Sequence, residues 1–366
     1  MQIFPLMGKT EEKYLPNTLL GRRLCVHSET SKYPFIPDKV GFRMKIPTID
    51  DVNSAAEAIK GKAFRTPLLS NEALVRVSGA DVFLKPECLQ RTGSFKFRGA
   101  YNAISRLSKT ELSQGITAAS SGNHAQGIAE AAAIFGAPAS IVMPSDAPEL
   151  KVKRTKANGA EVIFYDRASE DRDHAVAKVV NEKGTSFVHP YNNPDVIAGQ
   201  GTVGLEICED LSRMGRKPDR VLVCTGGGGL TAGVALAVQH HFPDAIMHSV
   251  EPEGFDDYRR SLNTGAIQSN PAQAGSICDA ILTPSPGEIG FEINRKFLAD
   301  GLVITDDEAK NAVRFAYEEL KLVTEPGGAA ALAALLQAGD KWSGETIVVV
   351  ISGGNIDPAT LSQIIS

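Results

Sequence analysis

Short apolar segments alternate with Ala-rich helical segments along most of the chain. The apolar segments are rich in Val and Ile and are flanked by Gly, Pro or Asp, as is typical of buried parallel strands. They lie at Asp81–Leu84, Ala139–Met143, Glu161–Tyr165, Arg220–Cys224, Ala245–Val250 and Thr346–Ile351. Apolar residues repeat at helical spacing in His124–Phe135, Leu230–His241, Asp306–Leu320 and Gly328–Gln337. This alternation predicts an α/β fold built on parallel sheets.

The first 44 residues follow no such pattern, because Pro, Lys and Thr are mixed there with scattered apolar residues. A helix start is clear after Met44. Thr48 can cap this helix, and apolar residues then repeat at helical spacing at Val52, Ala55, Ala56 and Ile59. We therefore interpret residues 1–44 as an N-terminal extension of a protein whose compact part begins near residue 45.

Composition and charge argue against several classes of protein. The chain carries 38 basic and 43 acidic side chains, a net charge of -5, which argues against general nucleic-acid binding because such domains are usually basic. No run of 18 or more apolar residues occurs, so we expect no membrane-spanning helix. The cysteines are widely spaced and form no CxxC pair, which predicts a reducing, cytoplasmic location rather than a disulfide framework or a zinc site.

Three predicted strand-to-helix turns carry unusual residues. Ala118–Gln126 places small residues, Asn and His at the start of a helix, where free N–H groups and the helix dipole favour an anion. Val221–Leu230 ends in four glycines and a leucine, which indicates a close approach to the backbone, as a bound phosphate would make. Ile347–Asn355 is a third buried strand, and it ends in Ser, Gly, Gly and Asn. Because ligands bind at the carboxyl ends of parallel strands, we expect the three turns to face one cleft.

The glycine-rich turn also allows a different interpretation. Gly227, Gly229 and Ala232 match the dinucleotide-binding fingerprint G-x-G-x-x-G/A after a strand, and Glu251 closes the next strand-like segment. Taken alone, this pattern predicts a nicotinamide-dependent (NAD) oxidoreductase. It gives no role to the lysine described next.

Lys96 is the candidate for covalent chemistry. It lies between Phe95 and Phe97, where desolvation lowers the pKa of an amine and makes its neutral form available to attack a carbonyl. A surface lysine whose stem packs on aromatic rings explains the same local pattern. The other motifs of the chain decide between these two interpretations.

Four motifs follow one another along the chain: TGSFKFRGA, SSGNHAQG, TGGGGL and ISGGN. In this order they resemble the fold-type II pyridoxal-phosphate enzymes, and most closely the threonine dehydratase and serine racemase family. Two further segments, His189–Thr202 and Val323–Leu335, are also similar to segments of that family. The resemblance extends over roughly four fifths of the chain.

The resemblance implies the α/β fold of the tryptophan synthase β subunit, in which parallel or mixed sheets carry helices on both faces. Residues 45–114 and 193–366 would form the large cofactor-binding domain, and residues 115–192 a small inserted domain that closes on the substrate. A homodimer is expected because such relatives are commonly dimers. The short chain after Ser352 implies a catabolic type without a regulatory C-terminal domain.

The resemblance also implies a role for each motif residue. Lys96 would form the Schiff base with pyridoxal 5'-phosphate and act as general base, with Phe95 against the cofactor. Asn123 would contact the ring hydroxyl, Ser352 would face the ring nitrogen, and the phosphate would lie in a cradle of Gly226, Gly227, Gly228, Gly229 and Leu230. The substrate carboxylate would bind at Ser120, Ser121, Gly122 and His124, and Ser121 matches the second acid–base group of racemases.

The implied activity is that of an ammonia-lyase. It would remove the β-hydroxyl group of a 3-hydroxy amino acid such as L-threonine or L-serine and give a 2-oxo acid and ammonia. Serine racemase activity, or dehydration of hydroxyaspartate or a β-substituted serine, stays open because all share Lys96. The small-molecule amino acid is the expected partner, and no nucleic acid or membrane is expected.

A metal site is a further implication of the resemblance. Family members that are similar here bind Mg²⁺ or Ca²⁺ through positions that match Glu251, the Phe255 carbonyl and Asp257. Oxygen ligands on one short turn suit such hard cations. A solvated acidic turn is the alternative interpretation of the same residues.

Overall fold

The computed structural model describes residues 45–147, 149–166, 168–272 and 274–366. The predicted N-terminal extension, residues 1–44, lies outside the described residues. The helices are α1 (Ile49–Ile59), α2 (Glu72–Ser78), α3 (Lys96–Ser105), α4 (Lys109–Gln114), α5 (Asn123–Phe135), α6 (Glu149–Ala157), α7 (Arg172–Lys183), α8 (Pro194–Arg213), α9 (Gly229–His241), α10 (Asp257–Thr264), α11 (Glu288–Phe297), α12 (Asp306–Glu318), α13 (Ala330–Ala338) and α14 (Pro358–Ile365). The strands are β1 (Leu69–Ser70), β2 (Asp81–Pro86), β3 (Ile116–Ala119), β4 (Ala139–Pro144), β5 (Glu161–Tyr165), β6 (Ser186–Phe187), β7 (Arg220–Cys224), β8 (Ile246–Pro252), β9 (Leu298–Ile304) and β10 (Thr346–Ile351). None of the helices described here is long and apolar enough to cross a membrane.

Six strands form a mixed sheet in the order β1-β2-β10-β7-β8-β9. Strand β1 is antiparallel to β2, and the other neighbours are parallel. Successive side chains of β10 enter two different cores: Ile347, Val349 and Ile351 pack with helices α12 and α13, whereas Val348 and Val350 pack with α8 and α9. Helices therefore cover both faces of this sheet, as the resemblance implies.

The second sheet consists of four parallel strands in the order β5-β4-β3-β6. All four lie within residues 115–192, the segment predicted to form the small domain. Strands β3, β4 and β5 lead into α5, α6 and α7, so these helices begin at the edge of the sheet where parallel α/β proteins bind ligands. The described residues fall within one compact unit, and their division into two domains stays a prediction.

The sequence pattern locates the main elements. All six predicted strands are present, and Glu161–Tyr165, Arg220–Cys224 and Thr346–Ile351 have the predicted bounds. The four predicted helices are present as α5, α9, α12 and α13, and α13 begins at Ala330 because a short 3₁₀ turn precedes it. Thr48 is the N-cap of α1, as predicted, and its N–H donates to Asp51 Oδ2 at 2.9 Å.

Helix α3, which begins at Lys96, packs between α5 and α8. A Cβ atom on Gly127 of α5 would lie 3.1 Å from the carbonyl carbon of Lys96. A Cβ atom on Gly199 of α8 would lie 2.6 Å from the Cα atom of Gly99 in α3. These glycines allow three helix backbones to approach closely, and the contacts position the backbone of Lys96.

A buried ionic network anchors the opposite face of α3. The Arg98 side chain is fully buried; its Nε donates to Glu87 Oε2 at 2.8 Å and its Nη1 to Glu206 Oε1 at 2.7 Å. Lys85 Nζ also donates to Glu206, at 2.6 Å. Removal of one partner would leave an uncompensated buried charge, which typically costs about 3–5 kcal/mol. The network therefore links α3 to β2 and α8.

We expect Gly199→Ala to destabilise the protein although Ala is the better helix former. The new Cβ would overlap the backbone of α3, and overpacking of this kind costs about 1–3 kcal/mol, more than the roughly 1 kcal/mol gained in helix propensity. Gly290→Ala in α11 is the comparison, because its Cβ would lie 3.1 Å from its nearest neighbour, the Tyr258 hydroxyl oxygen. Urea unfolding should show a larger loss for Gly199→Ala. A variant as stable as the wild type would contradict the packing argument.

Candidate active site

A cavity of about 720 Å³ lies at the edge of the second sheet from which α5, α6 and α7 begin. The predicted covalent lysine, Lys96, lines it. So do all the predicted substrate-binding residues, Ser120, Ser121, Gly122 and His124, and also Asn123, which is predicted to contact the cofactor ring. The structure therefore brings these two predicted groups of residues into one chamber.

Lys96 is half-buried at the first position of α3. Its Nζ donates a hydrogen bond to the Pro190 carbonyl at 2.9 Å and lies 5.0 Å from the centroid of the Phe95 ring. Burial lowers the pKa of this amine to about 8, as the sequence predicts. Phe97 packs in the protein core, 5.7 Å from the Tyr101 ring, so only one of the two flanking phenyl rings contacts the amine.

The Ser120–His124 turn connects β3 to α5. Ser120 Oγ accepts a hydrogen bond from the Gly122 N–H at 3.1 Å, which orients the turn at the helix start. Ser120, Ser121 and Asn123 are half-buried and face the cavity. Their hydroxyl and amide groups, together with the N-terminal end of α5, form a site that favours a carboxylate.

His124 is a buried, neutral member of this turn. The Val188 carbonyl accepts a hydrogen bond from His124 Nε2 at 3.0 Å, so Nε2 carries the proton, and Nδ1 has no partner among the described residues. Burial, with a contribution from the positive charge of Lys96, lowers the pKa of His124 to about 3. The imidazole therefore offers polar contacts but no charge at neutral pH.

Asn123 belongs to a hydrogen-bond chain that the sequence did not predict. Its Nδ2 donates to Glu325 Oε1 at 2.6 Å, and its Oδ1 accepts from Asn355 Nδ2 at 2.8 Å. Glu325 and Asn355 both line the cavity. Burial raises the pKa of Glu325 to about 7 although the hydrogen bond from Asn123 favours its ionised form. The cavity therefore contains a second group that titrates near neutral pH.

The glycine loop, residues 226–229, follows β7 and leads into α9. Gly228 has φ = 85°, a left-handed conformation, and a Cβ there would lie 1.8 Å from the Tyr258 hydroxyl oxygen. A Cβ on Gly227 would lie 2.3 Å from the Tyr191 ring. Tyr191 lines the cavity, whereas none of the four glycines nor Leu230 does. The loop thus lies against Tyr191 and outside the cavity wall in this structure.

Ser352 lies one residue beyond β10 and is buried. Its N–H donates to the Gly328 carbonyl at 3.1 Å, and its carbonyl accepts from the Phe95 N–H at 3.2 Å. Ser352 is not part of the cavity wall, but this second bond connects it directly to the residue that precedes Lys96. Of the third predicted turn, Asn355 reaches the cavity.

The predicted metal-binding residues lie between β8 and α10. Glu251 is fully buried, and its carboxylate accepts the N–H groups of Tyr258 at 2.7 Å and of Arg259 at 2.9 Å. Asp257 Oδ1 accepts from Asn270 Nδ2 at 2.6 Å, while Asp257 Oδ2 is buried without a partner among the described residues. Burial raises the pKa of Glu251, and the Asp257 charge raises it further.

The described residues contain no group of three or more His, Cys, Asp or Glu side chains that could hold a metal ion. The predicted ligands are the carboxylates of Glu251 and Asp257 and the carbonyl of Phe255. Phe255 lies between the two acids in sequence and is buried. The metal site therefore stays a prediction.

Comparison with known proteins identifies the family. The family model described as "Pyridoxal-phosphate dependent enzyme" matches residues 59–353, which include Lys96, the Ser120–His124 turn and the glycine loop. The chain belongs to this family of pyridoxal-phosphate dependent enzymes. The alternative prediction of a nicotinamide-dependent oxidoreductase is therefore wrong.

Several relatives of the pyridoxal-phosphate enzyme are similar over most of their length. The L-threo-3-hydroxyaspartate ammonia-lyase of Pseudomonas sp is 42% identical over 86% of this chain and 97% of its own. The L-threonine ammonia-lyase of Thermotoga maritima is 40% identical over 87% of this chain and 78% of its own. The solved maize serine racemase is 36% identical, with a TM-score of 0.82 over 87% of this chain and 97% of its own.

The glycine loop of this pyridoxal-phosphate enzyme fits a phosphate. The N–H of Thr225 donates to the Val250 carbonyl and that of Ala232 to the Gly228 carbonyl, both at 2.9 Å. Between them, the N–H groups of residues 226–230 donate no backbone hydrogen bond to any residue that the structure describes. Free donors at a helix start, next to a left-handed glycine, match the anionic end of the cofactor.

We expect Glu325→Gln to stabilise the pyridoxal-phosphate enzyme at pH 8 more than at pH 4. Because the folded-state pKa of Glu325 is about 7, above the ordinary 4.5, its ionisation weakens folding as the pH rises from about 4.5 to 7. Gln keeps an acceptor for Asn123 and removes the charge. The gain at pH 8 should be on the order of 3 kcal/mol.

Thermal or urea unfolding across this pH range measures the effect. Glu57→Gln is the control, because Glu57 is exposed on α1 and its replacement should give no such pH-dependent gain. A parallel pH dependence in the wild type and Glu325→Gln would contradict a buried, titrating Glu325.

Proposed function

We propose that this protein catalyses β-elimination of a 3-hydroxy amino acid and releases a 2-oxo acid and ammonia. The observation that carries the proposal is the desolvated amine of Lys96 in the same cavity as the Ser120–His124 turn. Relatives named as hydroxyaspartate and threonine ammonia-lyases support this reaction class.

Lys96 is the proposed general base. A pKa of about 8 leaves part of the amine neutral near physiological pH, and only the neutral form accepts a proton from the substrate Cα. The Pro190 carbonyl holds Nζ in a fixed direction, because the carbonyl accepts a hydrogen bond from it. The half-buried position also limits contact of the amine with water.

The Ser120–His124 turn is the proposed site of the substrate α-carboxylate. Hydroxyl groups of Ser120 and Ser121 and the N-terminal end of α5 supply hydrogen-bond donors and a partial positive charge. The neutral His124 adds no charge beside Lys96, and the lowered pKa of the lysine comes from burial. Binding at this turn would orient the Cα proton of the substrate toward Lys96.

The residues that would hold the cofactor are those predicted from the motifs. Phe95 and Lys96 would contact it, Asn123 would bind the ring hydroxyl, and Ser352 would face the ring nitrogen. The free N–H groups of residues 226–230 would bind the phosphate. Bound there, pyridoxal phosphate supplies an electron sink for the negative charge that develops at the substrate Cα.

Racemisation is a second candidate outcome at the same site. It needs a proton donor on the face of the substrate opposite Lys96, and Ser121 is a hydroxyl-bearing residue of the same cavity wall. The serine racemases among the relatives support this candidate. Chiral analysis of unreacted serine, run beside a 2-oxo acid assay, separates racemisation from elimination.

We expect Lys96→Ala to lower 2-oxo acid formation from a 3-hydroxy amino acid by about 10²–10⁴-fold, because it removes the base. The assay uses the purified protein with pyridoxal phosphate and measures 2-oxo acid and ammonia together. Lys109→Ala is the control, since Lys109 is exposed at the start of α4. Full activity in Lys96→Ala, or no ammonia from the wild type with any 3-hydroxy amino acid, would overturn the proposed function.

We also propose the Mg²⁺ or Ca²⁺ site at Glu251, Phe255 and Asp257. A cation would provide a partner for the unpaired Asp257 Oδ2 and lower the electrostatic cost of two buried carboxyl groups. After chelation, addition of Mg²⁺ or Ca²⁺ at about 100 times its Kd should stabilise the fold by about 2.7 kcal/mol. Thermal unfolding of Asp257→Asn should show no such response. An equal shift in both proteins would place the cation elsewhere.

A further inference from the structure

Three cationic side chains line one part of the cavity wall: Lys151, Arg154 and Arg172. Lys151 and Arg154 are three residues apart on α6 and therefore share one face of that helix. Arg172 is the first residue of α7. Because α6 and α7 follow the adjacent strands β4 and β5, the fold gathers the three charges at one edge of the second sheet. We call this group the cationic wall.

Two of the three side chains of the cationic wall are paired with acids, and the third has no acidic partner among the described residues. Lys151 Nζ is paired with Asp279 Oδ2 at 2.6 Å, and Arg172 Nε with Asp173 Oδ1 at 2.9 Å. Arg154 is half-buried and has neither an ion pair nor a hydrogen bond to any residue that the structure describes. A guanidinium in this setting has five unused donors in a geometry that matches a carboxylate.

The other acids of the cavity are engaged elsewhere. Glu325 accepts a hydrogen bond from Asn123, and its raised pKa of about 7 leaves it partly protonated at neutral pH. The Asp357 carboxylate accepts the Ala359 N–H at 2.9 Å and caps α14. Arg172 stands at the positive end of the α7 dipole, where the paired Asp173 offsets its charge. These positions point to an anionic ligand at the cationic wall.

We propose that the cationic wall binds a second carboxylate of the substrate, so that the enzyme acts preferentially on a dicarboxylic 3-hydroxy amino acid such as 3-hydroxyaspartate. The inference rests on the proposed function, in which the α-carboxylate occupies the Ser120–His124 turn. Arg154 is the residue that selects this substrate, because none of the residues that the structure describes compensates its charge.

The overall reaction balances without a further reactant. Elimination breaks the Cα–H and Cβ–O bonds of 3-hydroxyaspartate, forms a Cα=Cβ bond and releases water. The resulting enamine gains a proton at Cβ and loses one from nitrogen to become an imine, and hydrolysis of this imine takes up one water and releases ammonia. The products are oxaloacetate and ammonia, and no carbon atom is oxidised by an external acceptor.

The test compares kcat/KM of the enzyme, loaded with pyridoxal phosphate, for L-threo-3-hydroxyaspartate, L-threonine and L-serine. We expect the dicarboxylic substrate to be favoured by at least about 10-fold, and Arg154→Gln to lower its kcat/KM by about 10- to 100-fold, the usual effect of losing a hydrogen bond to a charged group. Activity with threonine and serine should change less than about 3-fold, since these substrates leave Arg154 without a partner.

Lys153→Gln is the matched control. Lys153 neighbours Arg154 on α6 but is exposed and paired with Glu149 at 2.8 Å, so its replacement should change none of the three rates. Binding without turnover gives a second measurement. Succinate should raise the Tm of the wild type and of Lys153→Gln more than butyrate does, and this difference should disappear in Arg154→Gln.

Three outcomes would overturn the inference. Faster turnover of threonine or serine than of hydroxyaspartate would refute the second carboxylate site and leave the proposed elimination intact. An equal loss with all three substrates in Arg154→Gln would assign Arg154 a general role rather than one in selection. Absence of 2-oxo acid from every substrate would refute the proposed function together with the inference.

Discussion

The close approach of the α5 and α8 backbones to the backbone of α3 determines where Lys96 lies. Gly127 of α5 contacts the backbone of Lys96 itself, and Gly199 of α8 contacts Gly99 one turn further along α3. With α3 held on both sides, the Lys96 side chain extends from a fixed backbone toward the Pro190 carbonyl. The position of this amine is therefore set by backbone packing and does not need an ion pair. An ion pair would raise the pKa of the amine and leave less of it in the neutral form that accepts a proton.

The sequence predicts long, continuously apolar strands well and strands that are short or interrupted by polar residues poorly, for a physical reason. Central β10 reads as a continuous apolar run because both of its faces are covered, whereas the edge strand β9 contains Asp300 and Gly301 and is partly exposed. Helix α8 was not predicted because Gly199, Gly201 and Gly204 weaken its helical pattern. Each of these glycines is required by a neighbouring helix, and such contacts are known only once the fold is known.

The residues of the candidate site also divide into those that the sequence predicts and those that it does not. Lys96 and the Ser120–His124 turn could be predicted because each belongs to a local motif whose chemistry is visible in a few consecutive residues. Glu325 is some 200 residues distant from the Asn123 side chain that it bonds, and only the fold brings the two together. Arg154 lies in the polar segment KVKRTK, where sequence alone does not separate a cavity-facing cation from its exposed neighbours. Contacts of this kind require the three-dimensional arrangement.

Burial, more than ion pairing, sets the charges of the side chains that line the cavity. Burial lowers the pKa of His124 to about 3, so this imidazole stays neutral, and it moves Glu325 and Lys96 to about 7 and 8. Two groups that ordinarily titrate six units apart thus change charge within a narrow range near neutrality. Lys96 is the proposed base for a substrate at the Ser120–His124 turn, whereas Glu325 is engaged with Asn123. The hydrogen bond to Asn123 therefore separates the role of Glu325 from that of the proposed base.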